Sequence, residues 1–481
     1  MIGYLASHLP LLEALGPAPR GRRRAAAPAA GRELPRLADL LEGSVVASKG
    51  TLGRPVSGLA TDFRRVVPGT AFFAVSRDNA GAARAIGEAL GRGAAAIVVD
   101  RLPLLPASTR TTFVQAADVP AALAAAARRH FGFPDRAATL LGIGGGRGKT
   151  SVAHLLHHLL SGDRRVGLLG SARYELGART VPAPDGEPDA LELHGLLAQM
   201  RDAGCRDAVL EAGARSLGGC ATEGLPWAVA VFTNATGPDG ADAGAAATWR
   251  RTFAADPERP LPAAAVNVDD SGGARLAAEL GAGGGTRVVT FGSGPAAEVR
   301  VETTDAGAWR VRWPEGAVEV ASPLVGREHA ENLAAAAAAA WAAGRDLRVV
   351  LPRLRSFPGV PGRLERFDAG QPFAVWIDAA RTAAELRRAL ASVRAATPGR
   401  VVLALGGDAG ETVLAAAREL ADEVHAGADR RRVLAAALGA ARPGDAVLAA
   451  GRADEAYQDL GDFRVPGDDR RLLRELLAGR N

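Results

Sequence analysis

The sequence predicts an α/β protein of three domains built on buried, largely parallel sheets, and three observations carry that expectation. Short apolar runs recur along the chain, each closed by small or polar residues, with stretches of helical period between them. At 481 residues the chain is too long for one core and long enough for two to four. One strand-to-helix junction, LLGIGGGRGKTSVAHLL (140–156), is a glycine-rich turn with a lysine inside it.

Residues 1–34 pair a short apolar piece with an Arg/Ala/Pro tract and read as a disordered extension. A secretory leader would carry its positive charge ahead of the apolar part, not behind it. Residues 35–136 read as a small α/β unit, with strands in GTAFFAVS (69–76) and GAAAIVVD (93–100) around a helix. Residues 137–355 form the central unit. ATLLGIG, RVGLLGS, DAVLEAG, AVAVFTN and AAAVNVDD look like parallel strands covered on both faces. Ligands in such sheets bind at the carboxyl ends of the strands, where these runs turn polar. EVRVETTDAGAWRVRWPEGAVEVAS (298–322) alternates with period two and predicts a small antiparallel insert; ENLAAAAAAAWAAG predicts a helix ending at Gly344. SFPGVPGRLERF opens a third α/β unit, 356–481, with strands in FAVWIDAA, RVVLALGGD and DAVLAAG.

The net charge of +5 and pI near 9.8 are not a nucleic-acid footprint. The arginines are mixed with acids, the only tight runs are Arg22–Arg24 and Arg430–Arg432, and no aromatic-studded basic stripe accompanies them. Two cysteines, Cys205 and Cys220, make neither a disulfide framework nor a metal site, which suits a reducing cytoplasm. No apolar run approaches the 18 residues or so of a membrane span.

The chain has two lysines, Lys49 and Lys149, among 58 lysines and arginines, and one of them stands in the glycine-rich loop. Gly142, Gly144, Gly145, Gly146 and Gly148 let backbone N–H groups turn inward around phosphates, and the following helix adds its positive end. Lysine is a compact point charge suited to such a nest, whereas arginine is a bulky fork. Thr150 can hold Mg²⁺ through its hydroxyl. Ile143 stands where the strict phosphate-loop spacing wants a glycine, so the match is to the shorter G-x-x-G-K-[ST] form. His154, His157 and His158 share a helix face that could form a metal site; the reading preferred is that they are packing residues.

Together these segments resemble the Mur ligase family, in its tripeptide-synthetase branch, from about Pro35 onward. SGLATDFRRVVPGTAFFAV resembles the family's uridine-binding opening, with Asp62-Phe63-Arg64 for Asp-Ser-Arg. LLGIGGGRGKTS, VLEAGARSL, VAVFTNATGPD, VNVDD, PLVGREHAENLAAA, VPGRLERF, IDAARTAAEL, LALGGD and LAAGRADEAYQ follow the family's order. The resemblance implies a UDP-sugar domain, a central phosphate-loop ATPase domain and a C-terminal Rossmann-like domain. It also implies ATP and Mg²⁺ as cofactors, an acyl-phosphate route to an amide bond, a UDP-N-acetylmuramoyl-peptide as substrate and other cell-wall enzymes as partners. By the same resemblance, Gly145, Gly148, Lys149, Thr150 and Ser151 cradle phosphates, with Lys149 and Glu211 in the catalytic set. Thr150 and Glu211 ligate the metal, Asn332 contacts adenine, and Arg363 and Asp378 hold the nucleotide. Asp62, Arg64 and Glu455 face the substrate.

Other positions depart from the pattern. The family's Ser-Ser-His is Gly213-Ala214-Arg215, and its carbamylated lysine falls at or near Thr248. Its Thr-Thr-Pro is Gly186-Glu187-Pro188, and its Tyr-Ala-His-Thr-Pro becomes Ala379–Ala383. The diaminopimelate signature is absent, and Gly-Lys-Gly-His-Glu survives only at Gly451 and Glu455. Three expectations follow: a ligase of this type, a non-catalytic relative that binds nucleotide or UDP-muramoyl peptide as a regulator or scaffold, or a different amide ligase of secondary metabolism.

Overall fold

The computed structural model describes residues 33–75, 79–102, 110–183, 187–213, 220–222, 224–237, 240–241, 244–254, 260–304, 308–407, 409–453, 457–459, 464–466 and 468–479. Residues 1–132 with 190–195 form one compact unit, and 133–189 with 196–481 form a second.

In the first unit, five strands are ordered β1-β5-β4-β3-β2. They are β1 (Val45–Lys49), β2 (Gly58–Ala60), β3 (Thr70–Phe73), β4 (Ala96–Val99) and β5 (Thr112–Ala116). Only the β1–β5 pair is antiparallel. β3 and β4 are buried along their whole length, as expected for strands covered on both faces. β1, β2 and β5 escape the sequence reading. β1 is half exposed and β2 spans three residues, so neither makes a strong apolar run.

The second unit carries an eleven-stranded sheet. Its parallel middle contains β6 (Thr139–Gly144), β7 (Val166–Leu169), β10 (Asp207–Glu211), β11 (Trp227–Phe232), β14 (Ala263–Asn267) and β15 (Arg287–Gly292). β6 lies between β10 and β11, so successive crossovers leave it in opposite directions. That makes the carboxyl end of β6 a topological switch point, the usual ligand crevice of such sheets. β8 (Arg173–Glu175) and β9 (Thr180–Pro182) extend one side antiparallel, while β12 (Thr236–Gly237) and β13 (Gly240–Ala241) pair only with each other. On the other side the period-two segment forms β16 (Val299–Thr303), β17 (Trp309–Trp313) and β18 (Gly316–Val320). β16 joins β15 in parallel, so this segment continues the main sheet rather than standing apart from it.

The helix Arg327–Ala342 is buried through the run Leu333–Ala340. Its alanines allow close approach to the sheet and to the helix Lys149–Leu160, whose Leu155, Leu156 and Leu159 fill the same core. Gly142 and Gly144 lie inside β6, and aromatic rings fill the places their side chains would take. Phe253 stands over Gly142, and a Cβ at Gly144 would meet Trp249 at 2.7 Å. These two glycines therefore serve packing, and the turn itself begins at Gly145. Trp249 is fully buried and donates its indole N–H to Val231 O at 2.8 Å.

A second sheet in this unit is ordered β19-β20-β23-β21-β22, from β19 (Glu365–Phe367), β20 (Ala374–Asp378), β21 (Val401–Gly406), β22 (Glu423–Gly427) and β23 (Ala446–Ala450). All but the edge strand β19 are parallel. The Arg430–Arg432 run is not a basic patch, because Arg430 is buried and paired with Asp469 (Nε–Oδ1 2.8 Å). Among the described residues no helix is long and apolar enough to cross a membrane.

Candidate functional site

The turn after β6 holds its shape through two left-handed glycines, Gly145 (φ +114°) and Gly148 (φ +84°). Side chains at either would be strained, and a Cβ at Gly145 would meet Thr233 Oγ1 and Asn234. Asn234, two residues past the end of β11, braces the turn. Its carbonyl accepts the Gly146 amide at 2.8 Å, and its side chain accepts from Arg147 N (2.9 Å) and donates to Arg147 O (3.1 Å). The sequence reading matched the Thr-Asn strand end but gave Asn234 no role.

The helix Lys149–Leu160 starts at Gly148, with its first-turn amides facing the turn. Lys149 folds back and donates to Gly145 O (3.0 Å) and Gly146 O (2.6 Å). Burial lowers its pKa, while Glu211 and Glu187 oppose that shift. The Thr150 hydroxyl lies 2.9 Å from Ser171 Oγ and donates to Glu211 Oε1 at 3.0 Å. Glu211 Oε2 accepts the Ser171 amide at 2.9 Å. Separations near 3 Å between oxygens match the edge of an octahedron with bonds of about 2.1 Å, so this donor set fits Mg²⁺. Ser171 is the member of the set that motif matching missed.

A cavity of about 390 Å³ joins this cluster to the second sheet. Its walls include Gly148–Ser151 and Glu211 on one side and Arg363, Asp378 and Arg381 on the other. Asp378 ends β20 and is buried. It accepts the amides of Leu364 (2.8 Å) and Ala380 (2.9 Å), and burial raises its pKa to about 6 despite the Arg363 charge. Asn332 packs its carboxamide over Gly148, against the turn itself. Glu328, one helical turn earlier, takes Arg147 Nη1 (3.0 Å) and Arg388 Nε (2.6 Å) on a single oxygen. It thereby ties the turn to the helix Ala383–Ala395 of the second sheet. A larger open hollow, about 660 Å³, is lined by Asp163, Arg164, Arg165 and Arg206 and shares no residue with the turn.

The three histidines of the turn's helix go separate ways. His154 Nδ1 reaches Thr150 O (2.9 Å), His157 Nε2 reaches Val166 O (3.2 Å) and His158 Nε2 reaches Arg353 O (2.8 Å). Among the described residues no three His, Cys, Asp or Glu side chains converge as a metal site. Burial pushes His154 and His329, which also lines the cavity, down to about 4.

The remaining expected positions lie elsewhere. Asp62 caps the short turn Phe63–Arg65, accepting Arg64 N (2.9 Å), and pairs with the exposed Arg64 guanidinium (3.0 Å) in the first unit. Glu455 lies outside the described residues. Thr248, at or near which the resemblance puts the carbamylated lysine, accepts Arg251 Nη2 at 3.0 Å. The Glu187 carboxylate occupies the space above Gly213, where any side chain would collide with it. That pairing of a gained carboxylate with a lost side chain was not legible in the motifs one at a time.

The sequence profile of the Mur ligase middle domain matches residues 143–340. The chain is similar to the "UDP-N-acetylmuramoyl-L-alanyl-D-glutamate–2,6-diaminopimelate ligase" of Gloeobacter violaceus, 31% identical over 92% of this chain and 98% of that one. A solved structure with the same description superposes with a TM-score of 0.68 at 21% identity, covering 93% of this chain and 99% of that one. The MurF ligase from Thermotoga maritima in complex with ADP superposes with a TM-score of 0.59 at 18% identity, over 88% and 98%. With a glycine-rich turn on a parallel sheet, a facing parallel sheet and relatives matched almost end to end, the chain belongs to the Mur ligase family.

Proposed function

We propose that this chain is an ATP- and Mg²⁺-dependent amide ligase of peptidoglycan precursor synthesis, of the tripeptide-synthetase type, working in the cytoplasm. It joins an amine to a carboxylate of a UDP-N-acetylmuramoyl-peptide after activating that carboxylate as an acyl phosphate. The observation that carries the reading is the Lys149–Thr150–Glu211 cluster facing Arg363 and Asp378 across one cavity. Gly145, Gly148, Lys149, Thr150 and Ser151 hold the phosphates, and Thr150 with Glu211 holds the cation, which neutralises phosphoryl oxygens. Arg363 and Asp378 fix the nucleotide from the second sheet, and Asn332 lies beside its base. Asp62, Arg64 and Glu455 belong to the substrate face, and the domains divide as 35–136, 137–355 and 356–481. The test is turnover by the full chain with ATP, Mg²⁺, UDP-N-acetylmuramoyl-dipeptide and a panel of amino acids. ADP release that requires both the peptide and one amino acid supports ligation.

A second reading, a relative that binds nucleotide or UDP-muramoyl peptide without ligating, is favoured by two local features. Glu187 sits over Gly213 beside Lys149, and Thr248 with its Arg251 partner replaces an acidic ligand. ADP binding with no turnover on any amino acid would select it.

A further inference from the structure

The hollow of about 660 Å³ lies at the opposite end of the main sheet from the glycine-rich turn. Its residues immediately precede two parallel strands: Asp163, Arg164 and Arg165 come before β7, and Ala203, Gly204 and Arg206 before β10. Glu211 ends β10 beside the turn, so the length of that strand, roughly 16 Å at about 3.3 Å per residue, separates Arg206 from it. The two segments are held together. Arg206 N donates to Arg165 O at 2.9 Å, and Arg165 Nη1 donates to Ala203 O at 2.7 Å.

Arg165 has an ordinary explanation, because Ala203 follows the helix Ala190–Asp202 and a cation there meets the negative helix end. Arg164 and Arg206 have none. Both are exposed, and neither guanidinium has a hydrogen-bond or ion-pair partner among the described residues. The one carboxylate of the hollow, Asp163, is 82% exposed and stands 4.0 Å from Arg353 Nη2, which does not line the hollow. Gly204 is left-handed (φ +79°), and a Cβ there would meet nothing within 4 Å, so no side chain fills the hollow at that point.

Three guanidinium groups against one carboxylate leave an excess of two positive charges in one concavity. Each planar fork matches phosphate oxygens two at a time. A phosphate monoester carries about −1.5 to −2 charges at neutral pH, which balances that excess.

We propose that this hollow binds a phosphate monoester, at a site separate from the nucleotide cavity. Arg164 and Arg206 grip the phosphate oxygens, Arg165 closes a third side, and the remaining volume takes the small organic group esterified to the phosphate. The inference goes beyond the ligase reading and does not depend on it.

The test titrates glycerol 3-phosphate into the full chain by calorimetry. Wild type should show one saturable site, which Lys149→Ala leaves within about twofold and Arg164→Glu with Arg206→Glu weakens at least about tenfold. Both side chains are exposed and unpaired, so this double variant should keep the wild-type melting temperature. Arg92→Glu with Arg275→Glu changes the net charge equally at two other exposed sites and should leave the affinity unchanged. Phosphatidylcholine vesicles with and without phosphatidic acid separate the sources. Binding to the acidic vesicles that the Arg164/Arg206 variant loses marks a lipid headgroup, and binding of glycerol 3-phosphate alone marks a soluble ester. No saturable glycerol 3-phosphate binding overturns the proposal. So does equal weakening by the Arg92/Arg275 variant, which assigns the effect to overall charge, or loss in Lys149→Ala, which assigns it to the glycine-rich turn.

Discussion

The Asn332 carboxamide occupies the place where a side chain at Gly148 would begin. It couples the glycine-rich turn to the helix Arg327–Ala342, which also carries Glu328 and His329. Gly148 is left-handed as well, so Gly148→Ala meets two obstacles. Backbone strain alone costs about 1–2 kcal/mol, and Asn332 must also move. ADP affinity by calorimetry should fall at least about tenfold, with a lower melting temperature.

Glu187 and Gly213 should be energetically coupled. Gly213→Ser alone drives a side chain into the Glu187 carboxylate. In a double-mutant cycle read by chemical denaturation, Gly213→Ser should destabilise the chain, and adding Glu187→Thr should restore about 1–3 kcal/mol. Additive effects would show that the two do not share that space.

The buried histidines and Asp378 set opposite pH dependences. His154 and His329 ionise near 4 in the folded chain against 6.5 in the open, so stability is lost as pH falls through that window. Asp378 is raised from 3.8 to about 6, so the folded state takes its proton first and gains stability as pH falls between those values. Each group contributes about 1.4 kcal/mol per pH unit inside its window. Between pH 4 and 6, His329→Gln should therefore flatten the acid loss, and Asp378→Asn should steepen it. Denaturation midpoints at a series of pH values check both signs.

Arg430→Ala should be the costliest charge deletion in the second sheet. It strands a buried Asp469, and it removes a donor to Ala404 O at 3.1 Å. Breaking such a pair costs about 3–5 kcal/mol, readable by urea unfolding. A change below about 1 kcal/mol would show that water reaches Asp469 in the folded state.

Much of this was legible in the sequence, for physical reasons that also mark where legibility stops. β6, β10 and β11 are buried on both faces, so they stand out as apolar runs ending in polar residues. β22 is only partly buried and reads EVHAG, so nothing in its pattern separates it from a loop. Lys149 follows from local motif chemistry, and Glu211 from the family resemblance. Ser171, Asn234 and the Glu328–Arg147–Arg388 bridge come from contacts across long sequence separations, which local periodicity does not encode. Gly142 and Gly144 illustrate the converse: they look like part of a phosphate turn, and they make room for Phe253 and Trp249.

The central claim is that the Lys149 turn binds the phosphates of ATP in the cavity closed by Arg363 and Asp378. Titration of ATP with Mg²⁺ into wild type and Lys149→Ala tests it most directly. The account predicts one saturable site in wild type and at least about 100-fold weaker binding in the variant, with Lys149→Arg failing to restore it. Equal affinity in wild type and Lys149→Ala would contradict it.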